Sequence, residues 1–206
     1  MTTVRPAPLP RDRIPTPARL GFAVFFEEDG AISEELLIGL REAGYDGIEP
    51  NCYHVQQVER VVELCQKVGI AIHAIPTGRW MNVDEASADY GRYTKKALDI
   101  LSEGAAIAAS VDAPLVLGLI RGRASVTDAA AEAFLSSVVR GLLQRTPQVK
   151  VLVEPIVRSE AAWPHTIPEG DRLIKTLNQP QVKLLAAEHG NVTVVGDDDQ
   201  SIYRFR

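Results

Sequence analysis

An α/β fold with parallel strands and outer helices is what this 206-residue sequence predicts, and two observations carry that reading. Short apolar runs alternate with longer stretches of helical periodicity, the pattern of repeated strand-helix units. Strand starts recur at roughly thirty-residue intervals, the length of one such unit, and parallel neighbours need a crossover of that size.

The elements follow in order. Leu20 to Phe26 is the first strand candidate. Ser33, followed by Glu34 and Glu35, caps a helix whose Leu36, Leu37, Leu40 and Ala43 share a face. Gly44 ends that helix, Tyr45 and Asp46 turn the chain, and Gly47 to Glu49 starts a second strand. The next helix directs Val55, Val58, Val62 and Cys65 inward and is closed by Gly69. Ile70 to Ile75 is a third strand. Asp84 to Ser110 reads as mostly helical, weakened at Gly91 and Gly104, and Leu115 to Leu119 is a fourth strand. Ser125 with Asp128 resembles a capping box for a helix running to about Gln144. Val149 to Glu154 is a nearly continuous apolar fifth strand, Glu169 to Leu177 a helix, and Val182 to Leu185 opens a sixth strand. A complete eight-unit barrel takes about 250 residues. Periodicity alone therefore leaves two architectures open, a barrel without its last two units and an open doubly wound sheet.

Composition narrows the function classes. A net charge of −5 and no Lys/Arg-rich block provide no field for phosphate backbones, so nucleic acid is not favoured. The leader, residues 1–19, carries Pro6, Pro8, Pro10, Pro15 and Pro17 and reads as a loose extended tail. No apolar run is long enough for a membrane span or a signal core. Cys52 and Cys65 are the only cysteines, and a chain of this length needs no staple, so reduced thiols and a soluble, cytoplasmic protein are expected.

Barrel enzymes collect their chemistry at the carboxyl ends of the strands. The segment VLVEPIVRSE, from Val151, delivers Glu154 at the end of an apolar strand and places Arg158 and Glu160 in the loop after it. Glu49 ends the second strand on the corresponding side. Gly78 would let the third loop approach a ligand, with Arg79 or Trp80 touching it, although a plain turn needs the same glycine. Arg121 and Arg123 flank Gly122 beyond the fourth strand and suit a phosphate or acidic sugar, although solvent exposure is the default for arginine. Glu154 has a plainer reading as a helix cap or a partner of Arg158, and His73 reads as a packed core histidine rather than a ligand.

Together with YDGIEPN from Tyr45, IPTGRW from Ile75 and LVLGLIRG from Leu115, the VLVEPIVRSE segment resembles the sugar phosphate isomerase/epimerase family with the xylose-isomerase-like TIM barrel. The resemblance covers residues 20–185. It implies a partial (β/α)8 barrel of about six parallel strands with outer helices. It also implies a sugar or sugar phosphate as substrate and a divalent metal, manganese, magnesium or cobalt, stabilising an enediolate. By match, Glu154 is both a metal ligand and the acid/base group, and Glu160 binds substrate hydroxyls. Arg158, Glu49, Gly78 and Arg121 complete the candidate substrate-binding set.

The family's sixth strand continues into an aspartate and a following histidine. Here AAEHGNVTVV follows, with Ala187 at the aspartate position and His189 out of register. Glu154 is the one clearly matched ligand, so the metal site is expected to be incomplete and the activity impaired. From Leu184 the sequence resembles a UvrD/Rep-type superfamily-1 helicase segment, ending GDDDQSIYRFR, with Gln200 at the phosphate-sensing position. Residues 186–206 are thus expected to form a helicase-like tail. A helicase-derived ATP- or DNA-binding fragment is an alternative function, against which the missing GxxxxGK[ST] loop speaks. A third is a non-catalytic chimeric or partial-barrel chain that completes itself as a homo-oligomer, because an opened barrel leaves sheet edges bare.

Overall fold

The computed structural model describes residues 21–25, 32–78, 80–82, 84–85, 90–123 and 125–185. The predicted leader, residues 1–19, and the helicase-like tail, 186–206, lie outside the described residues. The strands are β1 (Gly21–Phe25), β2 (Gly47–Asn51), β3 (Ala71–Ile72), β4 (Ile75–Pro76), β5 (Leu115–Leu117), β6 (Val151–Val153) and β7 (Val182–Leu184). The helices are α1 (Glu34–Glu42), α2 (Val55–Val68), α3 (Tyr90–Ser110), α4 (Asp128–Arg145) and α5 (Ile167–Leu177).

Every pairing is parallel, and the order is β1-β2-β3 in one sheet and β4-β5-β6-β7 in the other. Each strand neighbours the next in sequence and the order never reverses. Right-handed crossovers repeated in one direction put all the helices on one face, and successive helices pack on each other, α1 on α2 through α4 on α5. This is the winding of a barrel, not of a doubly wound sheet, which resolves the choice that periodicity left open. The described strands fill six positions of a partial (β/α)8 barrel.

The predicted third strand is divided between the two sheets. The N–H groups of Ala71 and His73 donate to Asp46 and Ile48 on the β2 side, whereas those of Ile75 and Thr77 donate to Pro114 and Val116 on the β5 side. Alternate residues of a regular strand point their N–H groups the same way, so the chain inserts one extra residue between His73 and Ile75. Burial agrees. Ile72 and Ile75 both pack into the core under the helices, and Ala74 joins Val116 and Leu152 on the opposite, inner face. This arrangement has the character of a bulge.

Helix boundaries depart from expectation in physical detail. α4 is capped by Thr127, whose side chain accepts from the Ala130 N–H, and not by Ser125. α3 is described from Tyr90 to Ser110, and residues 86–89 of the stretch predicted as mostly helical lie outside the described residues. On α1, Leu37 and Leu40 are buried but Leu36 and Ala43 are exposed, so the buried stripe is narrower than the apolar one. The α2 face is as predicted, with Val55, Val58, Val62 and Cys65 all buried. α5 starts at Ile167 behind a capping box in which Thr166 accepts from the Glu169 N–H and Glu169 accepts from the Thr166 N–H.

Gly104, read from sequence as a weak point, has a packing reason. A Cβ there would lie 2.2 Å from the Trp80 ring, so α3 accommodates that indole in the core only because the position is bare. No described helix is long and apolar enough to cross a membrane. Cys52 and Cys65 are unpaired and buried, and burial pushes their thiols up to about 12 and about 11.

Candidate active site at the carboxyl ends of the strands

Strand alternation sorts the site residues. On β5 and β6, Leu115, Leu117, Val151 and Val153 face the helices, so Val116, Gly118, Leu152 and Glu154 face inward. The ladder pairs Leu117 with Val153, and Glu154 donates its N–H to the Leu117 carbonyl at 3.1 Å. Gly118 and Glu154 are therefore side by side at the carboxyl end of the sheet. Their approach is close: a Cβ on Gly118 would lie 2.6 Å from Glu154 Oε2. The half-buried carboxylate occupies the space that a larger residue at 118 would fill.

Arg121 overturns the expectation of an exposed arginine. It is completely buried in a short 3-10 turn, Leu119–Arg121. Its Nε donates to the Ala162 carbonyl at 2.8 Å, Nη1 to the Gly118 carbonyl at 2.5 Å and Nη2 to the Pro164 carbonyl at 3.0 Å. The planar fork explains why arginine occupies this position: it has several rigidly directed donors, and lysine has a single ammonium. Burial pulls the guanidinium down to about 10, while the charge of Glu154 and, less strongly, the phenol of Tyr90 act in the opposite direction. At neutral pH it therefore remains a cation.

The turn is also held from behind. Tyr90 and Tyr93 of α3 donate their hydroxyls to the carbonyls of Arg121 and Ile120 at 2.8 and 2.7 Å. Both rings pack on Phe134 of α4, with centroids 5.2 and 5.5 Å away. Burial raises both phenols well above their ordinary values, so they stay neutral donors.

The loop after β6 has an anchored and an exposed part. Ala162 N–H donates to Gly122, Ile156 N–H to Pro164 and the His165 N–H to Glu169 Oε2. Burial tends to raise the Glu169 carboxyl, but hydrogen bonds from His165 and Thr166 outweigh it and the net shift is downward. Between these anchors, Arg158 and Glu160 are exposed. Arg158 leans to Asp128 at the start of α4, 3.7 Å away, so the partner once considered for Glu154 is engaged elsewhere. Arg123 is likewise paired, with Asp84 at 2.9 Å.

Glu49 is half-buried on β2, where alternation with buried Ile48 turns it inward. The β2-β3 register, carried one residue further, sets His73 beside it. The His73 ring covers Gly47, where a Cβ would lie 2.4 Å away. Gly78 has no left-handed backbone, and a Cβ there would make ordinary contact with Leu119 at 3.5 Å; neither a turn nor crowding demands glycine. Trp80, once a candidate for touching a ligand, is buried against α3. Glu154, Gly118 and Arg121 are thus brought together, with Glu49 three strand positions away on the same inner face. Sequence reasoning missed the role of Gly118, and its only linear signal was the glycine ending the LVL run.

A family model described as xylose isomerase-like TIM barrel matches residues 39–200. The chain belongs to that family. Among solved structures, a family 2 AP endonuclease from Brucella melitensis superposes with a TM-score of 0.58 at 17% identity, covering 81% of this chain and 67% of that one. D-allulose 3-epimerase from Methylomonas sp. in complex with D-allulose gives 0.57 at 19% identity, with 81% and 62% covered. The 3-keto-D-glucoside 4-epimerase from E. coli gives 0.56 at 16%, with 81% and 66% covered. At these identities the likeness is one of fold, and the chain spans about two thirds or less of the two epimerases' lengths. No curated protein sequence matches it significantly.

Family membership raises the question of a divalent cation. Among the described residues no three histidine, cysteine or acidic side chains converge on one point. Hard divalent cations need several oxygen or imidazole donors in a defined geometry. The described residues by themselves do not fit such an ion.

Proposed function

We propose that this chain carries proton-transfer chemistry of the sugar isomerase and epimerase type, with Glu154 as the acid/base group. The supporting observation is the placement of Glu154: inward-facing, at the carboxyl end of β6, against Gly118 and electrostatically coupled to a buried cation. A carboxylate there is suited to removing the proton from a carbon beside a sugar carbonyl, which leaves an enediolate. Return of the proton to the neighbouring carbon isomerises the sugar, and return to the opposite face epimerises it.

Glu160 and Arg158 in the exposed loop, Glu49 across the inner face and the backbone at Gly78 are the proposed contacts for a sugar or sugar phosphate. Arg121 leaves that set, since its three nitrogens are engaged by main-chain carbonyls. Manganese, magnesium or cobalt, implied by the family resemblance, would need donors beyond the described residues. The buried thiols accord with a reducing, cytoplasmic setting.

The test is solvent exchange. D-allulose, D-fructose and a 3-keto-glucoside are incubated with the protein in D2O, with and without manganese, magnesium or cobalt, and followed by proton NMR. Deuterium should enter at the carbon beside the carbonyl, and Glu154→Gln should slow that entry by about a hundredfold or more. An unchanged rate in the variant removes Glu154 from its role.

A further inference from the structure

We propose that Arg121 is a positioning residue for Glu154, fixing where the carboxylate stands by tying the turn after β5 to the returning limb of the loop after β6. The inference rests on the reading of Glu154 as the acid/base group and deepens it. Arg121 itself touches no substrate, because each of its three nitrogens faces a main-chain carbonyl in the protein interior.

The argument runs through Gly118. Its carbonyl receives Arg121 Nη1, and its bare Cα faces Glu154 Oε2. The wall against which the carboxylate rests is therefore held by the guanidinium. The other two donors hold Ala162 and Pro164, on the limb that returns from the loop. Pro164 also accepts the Ile156 N–H, two residues beyond Glu154, and Gly122 accepts the Ala162 N–H. Arg121 thus fixes its neighbours on both sides of the acid. It does so from a turn that Tyr90 and Tyr93 clamp onto α3.

Placing a full positive charge in the interior is costly, and hydrogen bonds to three carbonyls offset only part of that cost. The carboxylate of Glu154 offsets a further part, although burial remains the larger effect on Arg121. A cation held rigidly behind the acid keeps the carboxylate in one place, and small displacements of a reacting group are expensive in rate.

Two measurements test this on the full chain. In proton-nitrogen correlation spectra, the Arg121 Nε–H should be a slowly exchanging signal, identified by its loss in Arg121→Lys. Glu154→Gln should shift that signal, and Glu63→Gln, on the exposed face of α2, should leave it in place. Second, in the deuterium-entry assay, Arg121→Lys should lower kcat about tenfold or more while KM stays within about twofold. A signal unmoved by Glu154→Gln, or an Arg121→Lys variant as fast as the parent, overturns the proposal. If the parent exchanges no sugar at all, the functional reading fails, and the spectral shift still decides whether Arg121 addresses Glu154.

Discussion

Arg121 and Arg158 stand in successive loops at the same end of the sheet, and the structure uses them in opposite ways. The turn after β5 is closed on every side: two tyrosines behind it, Gly118 in front and a fully buried guanidinium spanning three carbonyls. In the middle of the loop after β6, Arg158 makes an exposed pair with Asp128, with N to O at 3.7 Å, beside a main-chain turn in which the Glu160 N–H donates to Val157. The same residue type is a structural fork in one place and a solvated charge in the other. Burial and the number of fixed partners decide the role, because hydrogen bonds to a buried charge are strong and surface pairs contribute little.

The largest break in this contrast should come from Arg121→Met, which takes the guanidinium from three buried carbonyls, of which Pro164 keeps the Ile156 N–H. Urea unfolding should show a loss of about 3 kcal/mol; a loss below about 1 kcal/mol would mean that the fork is dispensable. Gly118→Ala should act on chemistry more than on folding. Its Cβ meets the far end of a flexible carboxylate, so stability should fall by about 1 kcal/mol, while displacement of Glu154 should slow deuterium entry about tenfold. A variant with the parent's rate would show that the carboxylate does not need that space. Smallest of all, Arg158→Ala should change stability by no more than about 0.5 kcal/mol. A larger thermal shift would place Arg158 in a network that its 3.7 Å pairing does not suggest.

The legible parts of this fold were those set by local chemistry. The α2 stripe, the Ser33 cap and the glycine stops at Gly44 and Gly69 follow from spacing and backbone preference, and the structure has them in place. Glu154 was legible because it ends an apolar run. Arg121 was not, because two of the three carbonyls that hold it come from residues 41 and 43 positions away, and no local pattern announces them. Gly104 read as a weak spot because only tertiary packing reveals the indole beside it. Thr127 in place of Ser125 shows a competition between adjacent capping residues that sequence ranks poorly.

The extra residue at His73 and Ala74 acts as a phase counter for the molecule. Before it, the helix-facing residue is Ile72; after it, the helix-facing residue is Ile75, an odd step in a structure that counts by two. Strict alternation over the same residues would instead turn Ile75 toward the inner face and Pro76 toward the helices. One miscount lets a single strand serve both sheets, the one carrying Glu49 and the one carrying Glu154, while keeping an isoleucine toward the helices in each.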